Sequence, residues 1–195
     1  MKLSDAGGIA FAYLSWSDLD DMTRSLAEMV QFSGKKYDRV IALANGGLTM
    51  VRHFADLIDL RVISEMQVAF YRGINETHTA PEVIQPLSVD ITGQRILIFE
   101  DIVDSGATLE FTLDYLLKKG AAEVHTAALC RKSRASVHPE YSVQLLDRWV
   151  VFPYETRETL TELAGKWRSE RLPEGEITER LRTVGFSDQD IRHFA

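Results

Sequence analysis

The chain has 195 residues, 45% of them hydrophobic, which is enough for the core of one large domain or of one domain with an appendage. Its formal net charge of −7 argues against a nucleic-acid coat or an anionic-membrane binder, while leaving room for a local basic site that takes small anions. The one cysteine, Cys130, excludes an internal disulfide framework and a Cys-rich zinc site and suits a reducing compartment.

The opening stretch, MKLSDAGGIAFAYLSW, lacks the charged head and long apolar run of a secretory signal. No apolar run approaches the roughly 18 residues of a membrane helix, so a soluble cytoplasmic protein is expected. From Ser17 to about Phe32, Leu19, Met22, Leu26, Met29 and Val30 recur at helical spacing. Ser17 with Asp20 three residues on reads as the cap of that helix. Tyr37 to Ala44, YDRVIALA, is a short apolar run ending at Asn45-Gly46-Gly47, after which Leu48 to Leu60 returns to helical spacing. Strand, tight loop, helix is the expected order. Two β-rich pieces follow, Arg61 to Met66 and Val68 to Tyr71, and then a polar stretch, RGINETHTAPE, without periodicity, which reads as a mobile loop.

Arg95 to Phe99 is a second buried strand, followed by an acidic loop, a helix from about Thr108 to Lys119 stopped by Gly120, and a strand from Glu123 to Cys130. Strands alternating with helices imply an α/β fold with a doubly wound, mostly parallel sheet. After Pro139 the run YSVQLLDRWVVF is β-like. Beyond Pro153 the composition turns helical and charged, with a break at Gly185 and a cap-like Ser187 before Asp190. Residues 1–155 are thus read as one domain, and 156–195 as a helical extension packed on the core or on a partner subunit.

The stretch RILIFEDIVDSGATL, Arg95 to Leu109, delivers three carboxylates and a small-residue turn in quick succession. In a doubly wound sheet the loop after such a strand lies where ligands bind. Ser105-Gly106-Ala107-Thr108 offers backbone N–H groups, two hydroxyls and a glycine at the positive end of a helix, which is a phosphate cradle. Carboxylates beside a phosphate make sense if they hold the hydroxyls of a phosphorylated sugar or sit near a divalent cation. Neither G-x-x-x-x-G-K-[ST] nor G-x-G-x-x-G occurs in the chain. A paired-aspartate phosphatase reading fails because two residues, not one, separate Asp101 from Asp104. The bland alternative is an acidic strand end that merely caps the next helix.

ILIFEDIVDSGATL resembles the phosphoribosyl-pyrophosphate motif of type I phosphoribosyltransferases, in which a hydrophobic strand leads to two acids, two apolar residues, and an acid with a Ser/Thr-Gly-x-Thr loop. The resemblance runs from about Trp16 to Glu155 and is strongest to the xanthine-guanine and hypoxanthine-guanine enzymes. It implies a type I fold with a small hood and the helical C-terminal tail. It further implies that Glu100 and Asp101 hold the ribose hydroxyls and a magnesium ion, directly or indirectly, while Asp104, Ser105, Gly106, Ala107 and Thr108 bind the 5′-phosphate. Asp104 acquires a second implied role, as the catalytic carboxylate facing N7 of the purine. An aspartate within reach of a ring nitrogen can accept its proton, and nearby carboxylates stabilise an oxocarbenium-like transition state.

By the same resemblance, Asn45, Gly46 and Gly47 form the pyrophosphate loop, which in the family often carries a non-proline cis peptide. The family usually has Arg or Lys where Asn45 stands, so the missing cation shifts that work to another basic residue such as Arg72 or Arg52. In LCRKSRASVHPEY, Lys132 is the match for the lysine that donates to O6 of the purine, with Arg131 as the rival if the register slips by one; the bland reading is a solvated basic loop. In DRWVVFPYE, Trp149 corresponds to the aromatic that stacks on the base, and Val150 to the residue whose main chain reads the base edge. The alternative for Trp149 is ordinary core or a dimer contact. Arg72 to Val83 falls where the family has a flap that closes over the site, with Tyr71 and Arg72 at its base. Cys130 reads as a small buried hydrophobe rather than a nucleophile. His78 is a lone loop histidine, and His53, His125, His138 and His193 have no zinc-ligand spacing.

Together these readings describe a magnesium-dependent purine salvage enzyme that joins a 6-oxopurine to phosphoribosyl pyrophosphate, working as a homodimer or homotetramer. The rival is a regulator of the same fold that senses a nucleotide or phosphoribosyl pyrophosphate and binds nucleic acid or protein. An adenine or pyrimidine substrate is the nearest alternative within the enzyme class.

Overall fold

The computed structural model describes residues 1–72 and 79–195, and their side chains outside 70–80. In chain order the elements are β1 (Lys2–Ala6), β2 (Ile9–Tyr13), α1 (Trp16–Phe32), β3 (Arg39–Ala44), α2 (Gly46–Leu57), β4 (Ile63–Arg72), β5 (Thr79–Gln85), β6 (Arg95–Val103), α3 (Ala107–Lys118), β7 (Glu123–Arg131), β8 (Tyr141–Leu145), β9 (Trp149–Val151), α4 (Thr156–Ser169), α5 (Glu174–Val184) and α6 (Asp188–Phe194). Contacts divide the chain into two compact units, one of residues 20–145 and one of residues 1–19 with 146–195.

The first unit holds a six-stranded sheet in the order β5-β4-β3-β6-β7-β8. Every neighbouring pair is parallel except β4 with β5. The doubly wound, mostly parallel sheet expected from the alternation of elements is therefore present. Ile41, Leu43, Ile96 and Ile98 are buried in one apolar cluster with Leu109 and Leu116 of α3, which explains why β3 and β6 read as continuous apolar runs. The chain leaves β3 through α2 to reach β4 on one side, and leaves β6 through α3 to reach β7 on the other. The winding thus reverses between β3 and β6, which sets the loops after these two strands side by side at the carboxyl edge.

Several elements differ from the sequence expectation. Helix α1 is capped by Ser15 and Asp18 rather than by Ser17 and Asp20: the Ser15 Oγ accepts from the Asp18 N–H at 3.2 Å, and Asp18 Oδ2 accepts from the Ser15 N–H at 2.8 Å. Asp20 is instead committed to Arg24 and His53. The two β-rich pieces around Gln67 form the single strand β4, with an irregularity at Gln67/Val68 where it meets β5. That partner strand occupies Thr79–Gln85, so the C-terminal part of the stretch expected to be a loop is extended ladder; the rest, including His78, lies outside the described residues.

The second unit is a three-stranded sheet in the order β1-β2-β9 with helices α4 to α6. The turn Gly7-Gly8, with φ of 57° and 75°, closes a β1–β2 hairpin that the sequence reading missed, although a Gly-Gly pair is a recognised hairpin signal. The run YSVQLLDRWVVF is split, its first half forming β8 in the large sheet and its second half β9 here. Contacts do not divide at residue 155, where the sequence placed a boundary. Leu160, Leu163, Trp167, Leu181 and Phe186 share one buried cluster with Phe11 and Val151, because the amphipathic helices need an apolar surface and the small sheet supplies it.

Candidate active site

The sequence of β6 turns from apolar to acidic at its carboxyl end, and strand alternation then sends successive side chains to opposite faces. Glu100 is partly buried and lines a cavity of about 240 Å³ together with Ala44, Asp104, Ser105, Gly106 and Thr108. Asp101 packs against the start of α2, with its carboxyl still within hydrogen-bonding reach of that of Glu100. It is 5% exposed, and a Cβ built on Gly46 would lie 2.0 Å from its Oδ2. Its Oδ1 accepts the Ile102 N–H at 2.7 Å. Of the expected sugar-holding pair, Glu100 shares the cavity with Asp104, whereas Asp101 is not among its lining residues and underlies the neighbouring loop.

Burial and then the adjacent Asp101 charge push the Glu100 carboxyl well above the usual carboxylate range. A group placed this way favours a proton, a hydroxyl donor or a cation beside it. Among the described residues no cluster of three or more His, Cys, Asp or Glu can hold a metal. Glu100 offers one carboxylate, of the one or two that magnesium usually takes beside water and substrate oxygens.

The loop after β6 ends at Gly106, whose φ of 88° is left-handed and whose Cβ, were there one, would stand 2.7 Å from the Val137 nitrogen. Only glycine satisfies both constraints. Helix α3 starts at Ala107, whose N–H donates to the Ser105 Oγ at 3.3 Å. Among the described residues the amides of Ser105, Gly106 and Thr108 meet no protein acceptor, so they remain available to an anion at the positive end of the helix.

On the other side of the sheet reversal, the Ala44–Asn45 peptide is cis. Gly46 and Gly47 form the first turn of α2 rather than a loop before it. Gly46 packs on Asp101, and Gly47 on the Phe99 carbonyl, 2.7 Å from a built Cβ. Asn45 is exposed and its Oδ1 accepts from Gln67 Nε2 at 3.5 Å. Arg52, one of the two candidates for the missing cation, is ion-paired with Asp56 and lines a different cavity with Asp59 and Arg61. The side chain of the other, Arg72, lies outside the described residues.

The segment after β7 is stitched to the loop after β6. The Lys132 N–H donates to the Val103 carbonyl at 2.9 Å, and the Ser136 N–H to the Ser105 carbonyl at 2.8 Å. Between these two tethers, Arg134 Nε and Nη2 donate to Asp104 Oδ1 at 2.8 and 2.5 Å, and Nη2 also to Oδ2 at 2.6 Å. The sequence reading treated Arg134 as part of a solvated basic loop; its only signal is a cation two residues beyond Lys132. Lys132 itself is partly buried. Burial drives the Cys130 thiol up to about 12, with Asp101 adding to the rise and Lys132 opposing it. This inert thiol agrees with the structural reading of Cys130.

Trp149 and Val150 lie on β9 in the other unit. Trp149 is 37% exposed and tilted against Phe11 with ring centroids 6.3 Å apart, while Val150 is buried.

Residues 15–158 match the model of the phosphoribosyl transferase domain family. A xanthine-guanine phosphoribosyltransferase of Gluconobacter oxydans is 27% identical over 150 residues, covering 76% of this chain and 86% of that relative. A solved purine phosphoribosyltransferase of Pyrococcus horikoshii superposes with a TM-score of 0.68 at 32% identity, over 74% of this chain and 93% of that one. A protein of Neisseria gonorrhoeae, solved with bound ppGpp, superposes with a TM-score of 0.66 at 25% identity and extends over 89% of this chain and 95% of its own. Among the described residues, no helix is long and apolar enough to cross a membrane.

Proposed function

The chain belongs to the phosphoribosyl transferase domain family, and from that premise we propose that it is a purine phosphoribosyltransferase, which joins guanine, hypoxanthine or xanthine to phosphoribosyl pyrophosphate with release of pyrophosphate. The observation that carries this reading is the cavity in which Glu100, Asp104 and the Ser105–Thr108 turn meet. In the proposed complex the 5′-phosphate takes the amides of residues 105–108, and Glu100 takes the ribose hydroxyls. Asp101 keeps its expected connection to the sugar only indirectly, by fixing Gly46 and hence the loop that receives pyrophosphate. Magnesium would be held by Glu100 with substrate oxygens, and when bound it offsets the negative charge of the pyrophosphate.

The chemical step forms a bond from a purine ring nitrogen to C1′ and breaks the bond from C1′ to the pyrophosphate oxygen. The proton lost by the purine goes to the Asp104 carboxylate. Lys132, or Arg131 in its place, donates to O6 of the base, a preference that adenine with its 6-amino donor cannot satisfy. Incubating the protein with magnesium, phosphoribosyl pyrophosphate and each of guanine, hypoxanthine, xanthine and adenine tests the reading. Monophosphates are expected from the oxopurines, and their absence with every base would refute it.

A second reading is a sensor that binds ppGpp or a related nucleotide. It is favoured by the ppGpp-bound neighbour, whose match extends over more of this chain than that of the Pyrococcus enzyme. Tight ppGpp binding without turnover of any purine would favour it.

A further inference from the structure

We propose that Arg134 is a phosphate-binding residue that the free protein parks on Asp104, so that arrival of the sugar phosphate both gains a cation and releases the catalytic carboxylate. The inference rests on the assignment of residues 105–108 to the 5′-phosphate. Its starting point is a conflict of roles. A carboxylate that accepts a proton must present a lone pair to the base, and three N–H contacts from one guanidinium leave Asp104 little of its accepting capacity. Release of Arg134 gives the base an unencumbered acceptor.

Release is inexpensive. The pair is open to solvent, with side-chain exposures of 69% for Arg134 and 52% for Asp104, and exposed ion pairs contribute little to stability. A phosphate dianion is a stronger bidentate acceptor than a carboxylate monoanion. The destination is adjacent, because Asp104 lines the same cavity as Ser105, Gly106 and Thr108. The backbone on either side of Arg134 is tethered to that loop by Lys132 and Ser136, so the exchange needs only side-chain rotation. Asp104 thus becomes fully competent only once the phosphorylated sugar is seated.

The test is calorimetric titration with ribose 5-phosphate, without magnesium, of the full chain and of Arg134→Gln, Arg134→Lys, Asp104→Asn and the Arg134→Gln/Asp104→Asn double variant. Arg134→Gln should weaken binding about tenfold, and Arg134→Lys should recover part of the loss, which a purely structural arginine would not show. Asp104→Asn removes a negative charge and so tightens binding in any background; if it also frees Arg134, the tightening will be several-fold larger with Arg134 present than in the double variant. Affinity unchanged within about twofold by Arg134→Gln, or an Asp104→Asn effect equal in both backgrounds, would overturn the proposal. These outcomes are independent of turnover: a protein that makes no monophosphate but shows the coupling loses the enzyme reading alone, and an active protein without the coupling loses this one alone.

Discussion

The Asp101 carboxylate and Gly46 are packed so closely that a methyl group on the glycine would sit 2.0 to 2.4 Å from all three carboxylate atoms. The acid from one strand end therefore sets the height of the helix that follows the other. Gly46→Ala should destabilise the protein by about 1 to 3 kcal/mol and sharply lower phosphoribosyl transfer, as read by urea unfolding and by initial rates. Asp101→Ala in the same chain removes the obstruction and should restore much of the stability.

Glu100 has the opposite pH signature to an ordinary surface acid. Its folded value is raised by burial and by Asp101, so the native state makes no demand of it below the usual carboxylate range and loses stability as pH rises through the folded value. Glu100→Gln should therefore raise the Tm at neutral pH. Melting curves should converge below about pH 4. The same variant should bind ribose 5-phosphate and magnesium more weakly.

Asp104→Asn keeps the shape of the side chain but removes its capacity to accept a proton. Turnover should fall by about 10²-fold or more, with nucleotide affinity changing far less. Single-turnover rates against equilibrium binding of the product monophosphate make the comparison, and equal activity in both proteins would remove Asp104 from the base role.

Away from the site, Arg95 donates to Asp38 through Nε at 3.0 Å, Nη2 at 2.9 Å and its backbone N–H at 2.8 Å. The Arg95 side chain is the main reason that the Asp38 carboxyl is held down at about 2. Stability from this pair is complete above the unfolded carboxylate range and is lost as pH falls to about 2. Asp38→Asn should lower the Tm at pH 5 to 7, by an amount that shrinks to nothing in strong acid.

The sheet was legible in the sequence because β3, β6 and β7 are apolar runs separated by amphipathic helices. The small-residue turn between β6 and α3 was legible because its glycine and hydroxyls follow a strand directly. Three things were not. The hairpin β1–β2 is short, and its Gly-Gly turn was passed over while the same stretch was read for a secretory signal. The packing of Asp101 under Gly46 depends on how closely α2 approaches the end of β6, which no residue of the motif encodes. Arg134 is invisible because its partner is thirty residues away, and nothing local marks a basic loop residue as one that will meet a carboxylate across the gap between strands.

The hairpin also bears on how the polypeptide emerges from the ribosome. Residues 20–145 are contiguous, so every contact in their sheet is available as soon as they are made. Phe11 has no such opportunity: its neighbours Val151, Leu160, Leu163 and Trp167 are translated only after residues 20–145. Phe11 must therefore wait, apolar and uncovered, until residues 20–145 have all been made, and a chaperone that shields nascent chains would find a long-lived target in the β1–β2 hairpin.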